Sequence, residues 1–125
     1  MKPRLITLTT DFGLADSYVA QMKGAILTIA PEAMLVDVTH NIPQQDCAAA
    51  AAVLADVVRV FPAGAIHLVV VDPGVGTKRR AVAVEVRGDE DAGELRFVAP
   101  DNGVLTRVLE NRSMTQAVRL EDLLR

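Results

Sequence analysis

Polar residues able to do chemistry stand directly after short apolar runs: Asp11, His40, Asp72, and the neighbours Asp101 and Asn102. In a sheet-based domain such places are strand ends, where carboxylates and amides can bind hydroxyl groups or aim an attacking water. Each also has an ordinary structural use, because an Asp after a strand commonly caps a helix or closes a turn. Their convergence on one kind of place is what points to a site. The richest segment is Val71-Asp72-Pro73-Gly74-Val75-Gly76-Thr77-Lys78-Arg79-Arg80. A proline and two glycines beside charges make a fixed turn whose exposed amides can cradle oxygen. Its spacing is neither GxxxxGK followed by Ser or Thr nor GxGxxG, which rejects ATP hydrolysis on a phosphate loop. His67 lies inside an apolar run and reads as a satisfied core or edge histidine, whereas His40, in a loop, reads as the more open one.

Leu5 to Thr10 is a β-branched strand that ends at the Asp11-Phe12-Gly13 turn. Asp16 or Ser17 can cap the helix that follows, in which Val19, Met22, Ile26 and Ile29 recur at helical spacing until Pro31. Met34 to Thr39 predicts a second strand, and the Ala-rich segment from Asp46 to Val60 a second helix, stopped by Phe61-Pro62-Ala63-Gly64. Ile66 to Val71 is almost continuously apolar, the pattern of a central strand covered on both faces. Ala81 to Arg87 and Leu95 to Ala99 predict a hairpin around the acidic turn from Gly88 to Gly93. Gly103 to Glu110 has helical spacing, Ala117 to Leu120 predicts a last short strand, and Glu121 opens another helix. The alternation argues an α/β fold: a three-layer α/β/α sandwich with a mostly parallel, mixed sheet, its ligand site at the carboxyl ends of the strands.

The 125 residues, half of them apolar, suffice for one domain and one core. Three Phe, one Tyr and no Trp leave that core aliphatic, and a net charge of -3 supplies no field for nucleic acid. The single Cys47 has no metal spacing and reads as a small buried apolar residue, consistent with a cytoplasmic location. Threonines and Asp11 interrupt the N-terminal apolar run as a signal peptide would not allow. The longest apolar stretch, Cys47 to Ala55, is far shorter than the roughly 20 residues of a membrane span, so no membrane partner is expected.

Four motifs occur in order: Thr9-Thr10-Asp11-Phe12-Gly13; Asp37-Val38-Thr39-His40 with Ile42-Pro43; Val71-Asp72-Pro73-Gly74-Val75-Gly76-Thr77; and Ala99-Pro100-Asp101-Asn102-Gly103. Together they resemble the S-adenosylmethionine hydroxide adenosyltransferases, the family related to the fluorinase and chlorinase, over essentially the whole chain. The resemblance implies that residues 1–125 are an N-terminal α/β domain. It further implies hydrolysis of S-adenosyl-L-methionine to adenosine and L-methionine, by SN2 attack of water at the ribose 5′ carbon, with no metal and no redox cofactor. Asp72 and Arg79 match two members of the hydrolases' Asp, Arg and His set. The third lies beyond Arg125, a place neither His40 nor His67 occupies. An Asp beside an Arg stays ionised, suited to aiming a water by accepting its hydrogen bond. Asp11 matches the carboxylate that binds the ribose hydroxyls. Asp16 matches a position near the methionine end, in competition with its use as a helix cap. Asp101 and Asn102 match a motif that shapes the pocket, with Asn102 a substrate-binding candidate.

The halogenases are the near alternative. Fluorinase-like members carry Tyr and Thr where this chain has Asp72 and Arg79, and a long insertion where the turn from Gly88 to Gly93 is short; a carboxylate would repel a halide. The resemblance also implies a second, C-terminal β-rich domain and a homotrimer whose active site lies between subunits. On that basis the 125 residues alone are expected to turn over negligibly. The other alternative is a non-catalytic nucleoside-binding or trimerisation module.

Overall fold

The computed structural model describes residues 4–71, 81–87, 93–110 and 114–120, with backbone only for 114–116. They form one six-stranded sheet in the order β2-β1-β3-β5-β4-β6. β1 (Leu5–Thr10) lies between β2 (Met34–Thr39) and β3 (Ile66–Val70), parallel to both. β3 pairs in parallel with β5 (Glu94–Pro100). β4 (Ala81–Arg87) runs antiparallel to β5 and to β6 (Met114–Arg119). The sheet is thus mixed and mostly parallel, an α/β fold, and the hairpin expected of the two valine-rich runs is present.

α1 (Tyr18–Ile29) joins β1 to β2, and α2 (Cys47–Val57) joins β2 to β3. The first connection moves one way across the sheet and the second moves the other way. The right-handed rule for such crossovers puts their helices on opposite faces, which is the ground for expecting three layers. In α1 only Val19 of the apolar stripe is buried; Met22 and Ile26 are half-buried and Ile29, in the last turn, is exposed. Asp46 caps α2 by accepting the Ala49 N–H at 2.9 Å. Fully buried Ala50 and Leu54 bring α2 down onto Val69, Phe97 and Val84, and α3 (Thr106–Leu109) extends the same layer through Val108. α3 is a single turn, shorter than the spacing from Gly103 to Glu110 predicts, because Gly103 takes φ +94° and residues 103–105 form turns. β6, in turn, starts earlier than expected.

β3 is central, and among the described residues one of its faces is buried and the other half-covered. His67 and Val69 are buried under the helical layer, while Ile66, Leu68 and Val70 are half-buried. On that second face a hollow of about 270 Å³ is lined by Ile66, Ala83, Val98 and Val118, with Arg96 and Glu85 3.9 Å apart beside it. The unbroken apolar run thus marks the centre of the sheet. Among the described residues, no helix is long and apolar enough to cross a membrane.

Two buried threonines of β1 differ in one respect. Thr7 Oγ1 lies 2.8 Å from His67 Nδ1, whereas Thr9 Oγ1, equally buried, has no partner among the described residues. An unpaired buried hydroxyl is unfavourable, and removing one partner of a buried pair orphans the other. Thr9→Val is accordingly expected to stabilise the fold by about 1 kcal/mol and Thr7→Val to destabilise it by roughly 1–3 kcal/mol. Urea midpoints of the two variants check both signs.

Candidate active site at the strand ends

The chain runs from β1 to β2 and then from β2, past β1, to β3, so its direction across the sheet reverses and the topological switch point lies between β1 and β3. In open α/β sheets ligands bind beyond the carboxyl ends of the strands at such a point. Asp11 stands there, the first residue after β1, with its N–H donated to Val70 O of β3 at 3.4 Å. Its Oδ2 accepts the Gln45 N–H at 2.8 Å, and its Oδ1 has no partner among the described residues. Gln45 holds a left-handed φ of 63°, unusual for a residue with a side chain. The bond to Asp11 helps hold it there. Nothing in the local sequence signals this role of Gln45.

The turn after Asp11 is held from the neighbouring strand. Gly13, at φ +71°, donates to His40 O at 2.6 Å, and Ile42 donates to Thr10 O at 3.3 Å. His40 is not the open loop histidine that its position suggests. It is 4% exposed, with Nδ1 2.8 Å from Thr10 Oγ1 and Nε2 2.7 Å from Asp37 Oδ1. Loop residues take their burial from what folds over them, and here the end of β1 supplies it. Asp37 also meets Lys23 Nζ at 2.8 Å, and Lys23 first, then His40, holds its carboxyl below the usual carboxylate range. The i, i+3 spacing of Asp37 and His40 was the one available signal of this contact.

Asp16 is exposed and does not cap α1. Ser17 occupies the cap position without a side-chain cap bond, and Asp16 Oδ1 accepts the Ser17 N–H at 2.6 Å. Phe12 and Tyr18 meet edge to face at 6.1 Å between Asp11 and α1. Asn102, after β5, has its side chain committed to backbone: Nδ2 donates to Val71 O at 2.7 Å and Oδ1 accepts the Val104 N–H at 3.2 Å. It ties the end of β5 to the residue before Asp72. Asp101 is exposed and, with Asn102, borders a hollow of about 230 Å³ beside α3. Asp72 and Arg79 lie outside the described residues. Cys47 is half-buried beside Val71 O at 4.0 Å, and His67 is satisfied in the core, as its run of apolar neighbours implies.

The strand order and the half-anchored Asp11 carboxylate at the strand ends define an α/β domain with a candidate site at its switch point. The family model described as the SAM hydroxide adenosyltransferase N-terminal domain matches residues 6–124, and the chain belongs to that family. It is 50% identical over 100 residues to a protein of Salinispora arenicola named (R)-S-adenosyl-L-methionine hydrolase, which covers 80% of this chain and 36% of that one. It is 31% identical over 135 residues to a protein of an Actinoplanes species named fluorinase, covering 94% of this chain and 45% of that one. A crystal structure of a conserved hypothetical protein from Thermus thermophilus superposes with a TM-score of 0.80 at 42% identity, over 94% of this chain and 46% of that one. The chain thus spans less than half the length of these relatives.

Proposed function

We propose that this domain supplies the ribose-binding and water-aiming half of an enzyme that hydrolyses S-adenosyl-L-methionine to adenosine and L-methionine. The observation that carries the reading is Asp11 at the switch point, one carboxylate oxygen anchored on Gln45 N–H and the other unpartnered among the described residues. Two adjacent ribose hydroxyls are two donors, which a carboxylate can accept together. In the reaction the oxygen of water forms a bond to the 5′ carbon as the carbon–sulfur bond breaks. The bonding pair goes to sulfur, a proton is released from the water oxygen, and methionine departs as a neutral thioether. A sulfonium that leaves neutral needs no general acid, no metal and no redox cofactor. What remains is to hold the water in line, and such positioning can remove up to ~7–11 kcal/mol of barrier. Asp72 and Arg79 are proposed for that task, Asp11 for the ribose, and Asp16 for the methionine end. Asn102 would act by holding Val71, and with it the start of the Asp72 segment. We further propose a homotrimer in the cytoplasm, with the site completed by a second domain.

Greater identity to the relatives named hydrolase than to those named fluorinase favours water over halide as nucleophile. The test is chromatographic, on the protein carrying this domain at its relatives' full length, incubated with S-adenosyl-L-methionine without and then with chloride. Adenosine is expected in both buffers, falling roughly hundredfold or more in Asp72→Ala, as when one preorganised polar group is removed from a site. A chlorinated nucleoside in the second buffer would replace the hydrolase reading by the halogenase one. Binding without turnover would favour a non-catalytic module.

A further inference from the structure

We infer that His40, oriented by Asp37 and Lys23, is a positioning residue that sets the Asp11 turn for its ligand. The inference rests on the reading of Asp11 as a ribose-binding carboxylate. His40 grips the chain on both sides of Asp11. Its ring meets the side chain of Thr10, the residue before, at 2.8 Å, and its carbonyl accepts the N–H of Gly13, two residues after, at 2.6 Å. Thr10 Oγ1 accepts the Phe12 N–H at 3.2 Å, so the residue between is tied to the same group.

The hydrogens in this line can be counted. The Asp37 carboxylate only accepts, so the ring hydrogen of a neutral His40 stands on Nε2; Nδ1 is then bare and accepts the Thr10 hydroxyl hydrogen, while Thr10 Oγ1 accepts from Phe12. Nε2 carries the ring hydrogen and donates it to Asp37 Oδ1, while Asp37 Oδ2 accepts from Lys23. The donors then run in series from the surface to His40, and from the turn's own Thr10 hydroxyl to the ring. An acid, a histidine and a hydroxyl in series also describe a nucleophile with its base. That use is excluded here, since Thr10 is 0% exposed and its oxygen is already engaged by Phe12. The line ends on the backbone of the turn, and what it delivers is the direction of the Asp11 carboxylate.

The molecule contains its own control. Thr7 and His67 make the same buried Thr–His contact at 2.8 Å, on the opposite face of β1 and with no turn attached. A merely structural role for Thr10 and His40 would make the two pairs respond alike. On this chain, nitrogen NMR of the imidazole rings is expected to show His40 with hydrogen on Nε2 and none on Nδ1. The opposite tautomer would overturn the inference, whether or not any variant folds. Thr10→Val is expected to speed amide exchange of Phe12 and Gly13 by at least about tenfold over Thr7→Val, and to weaken adenosine binding by about tenfold where Thr7→Val leaves it unchanged. Thr10→Ser, which keeps the hydroxyl, should restore both. Equal exchange in the two valine variants, or unaltered adenosine affinity in Thr10→Val, would count against His40. Adenosine affinity is read on the protein at its relatives' full length; if that protein binds no adenosine, the ribose reading of Asp11 fails, and the tautomer and exchange results still decide the role of His40.

Discussion

Asp11→Ala is expected to lower the affinity for adenosine by roughly a hundredfold, the loss of about 3 kcal/mol that two charge-assisted hydrogen bonds to the ribose represent. The variant also frees the Gln45 N–H, now held at 2.8 Å, and so loosens the loop before α2. Asp11→Asn separates the two effects. Its amide oxygen can keep the Gln45 bond, but its NH₂ group then faces ribose hydroxyls with donor against donor. Affinity should therefore fall in Asp11→Asn while the urea midpoint stays near that of the parent. Titration calorimetry with adenosine gives the first quantity. Unchanged affinity in both variants would reduce Asp11 to a clamp on the loop.

Acid should weaken the fold through one histidine. Burial pushes His67 from its ordinary 6.5 down to about 4, so the folded state keeps the ring neutral where the unfolded state takes up a proton. The unfolded chain binds the extra proton below its own pKa. The stability linked to this ring is therefore complete above pH ~6.5 and drains away as pH falls toward ~4, by about 3 kcal/mol over the window. Asp37, also depressed, loses its contribution only as pH falls below the usual carboxylate range. Pairing His67→Leu with Thr7→Val removes the titrating ring without orphaning the Thr7 hydroxyl. Denaturant midpoints across this range should slope for the parent and flatten in the double variant. Parallel curves would show that His67 does not titrate with unfolding.

The elements that local pattern decides were legible in the sequence. β1 and β2 run from the residues that the apolar runs mark, because a short β-branched run between turn formers has few alternatives. The extent of α3 and the half-covered face of β3 were not, since both depend on what lies opposite in space. For the site, strand-end placement singled out Asp11, His40 and Asn102, and the structure gathers them at neighbouring strand ends. Their partners were another matter. That Asn102 reaches back to Val71, or that His40 is enclosed by Thr10 and Asp37, follows from sheet order, which no single stretch of sequence contains. The same holds for Gln45, whose part is played by its backbone.

The sheet order divides by chain position. β2, β1 and β3 are the first three strands in sequence, and β5, β4 and β6 the last three. The described strand pairing between these halves is β3 with β5, through Ile66, His67 and Leu68 against Arg96, Phe97 and Val98, with bonds from Gly64 N–H to Glu94 O and from Asn102 Nδ2 to Val71 O at its two ends. The later half zips antiparallel with neighbours close in sequence, a fast process, while the earlier half must close two helical crossovers. Docking of two separately nucleated foldons along one short seam, with α2 meeting α3 above it, is the assembly route this order favours. His67 and Phe97, their rings 5.5 Å apart, sit on that seam. Proton uptake by His67 would then act as a wedge, parting the half that carries Asp11 from the half that carries Asn102.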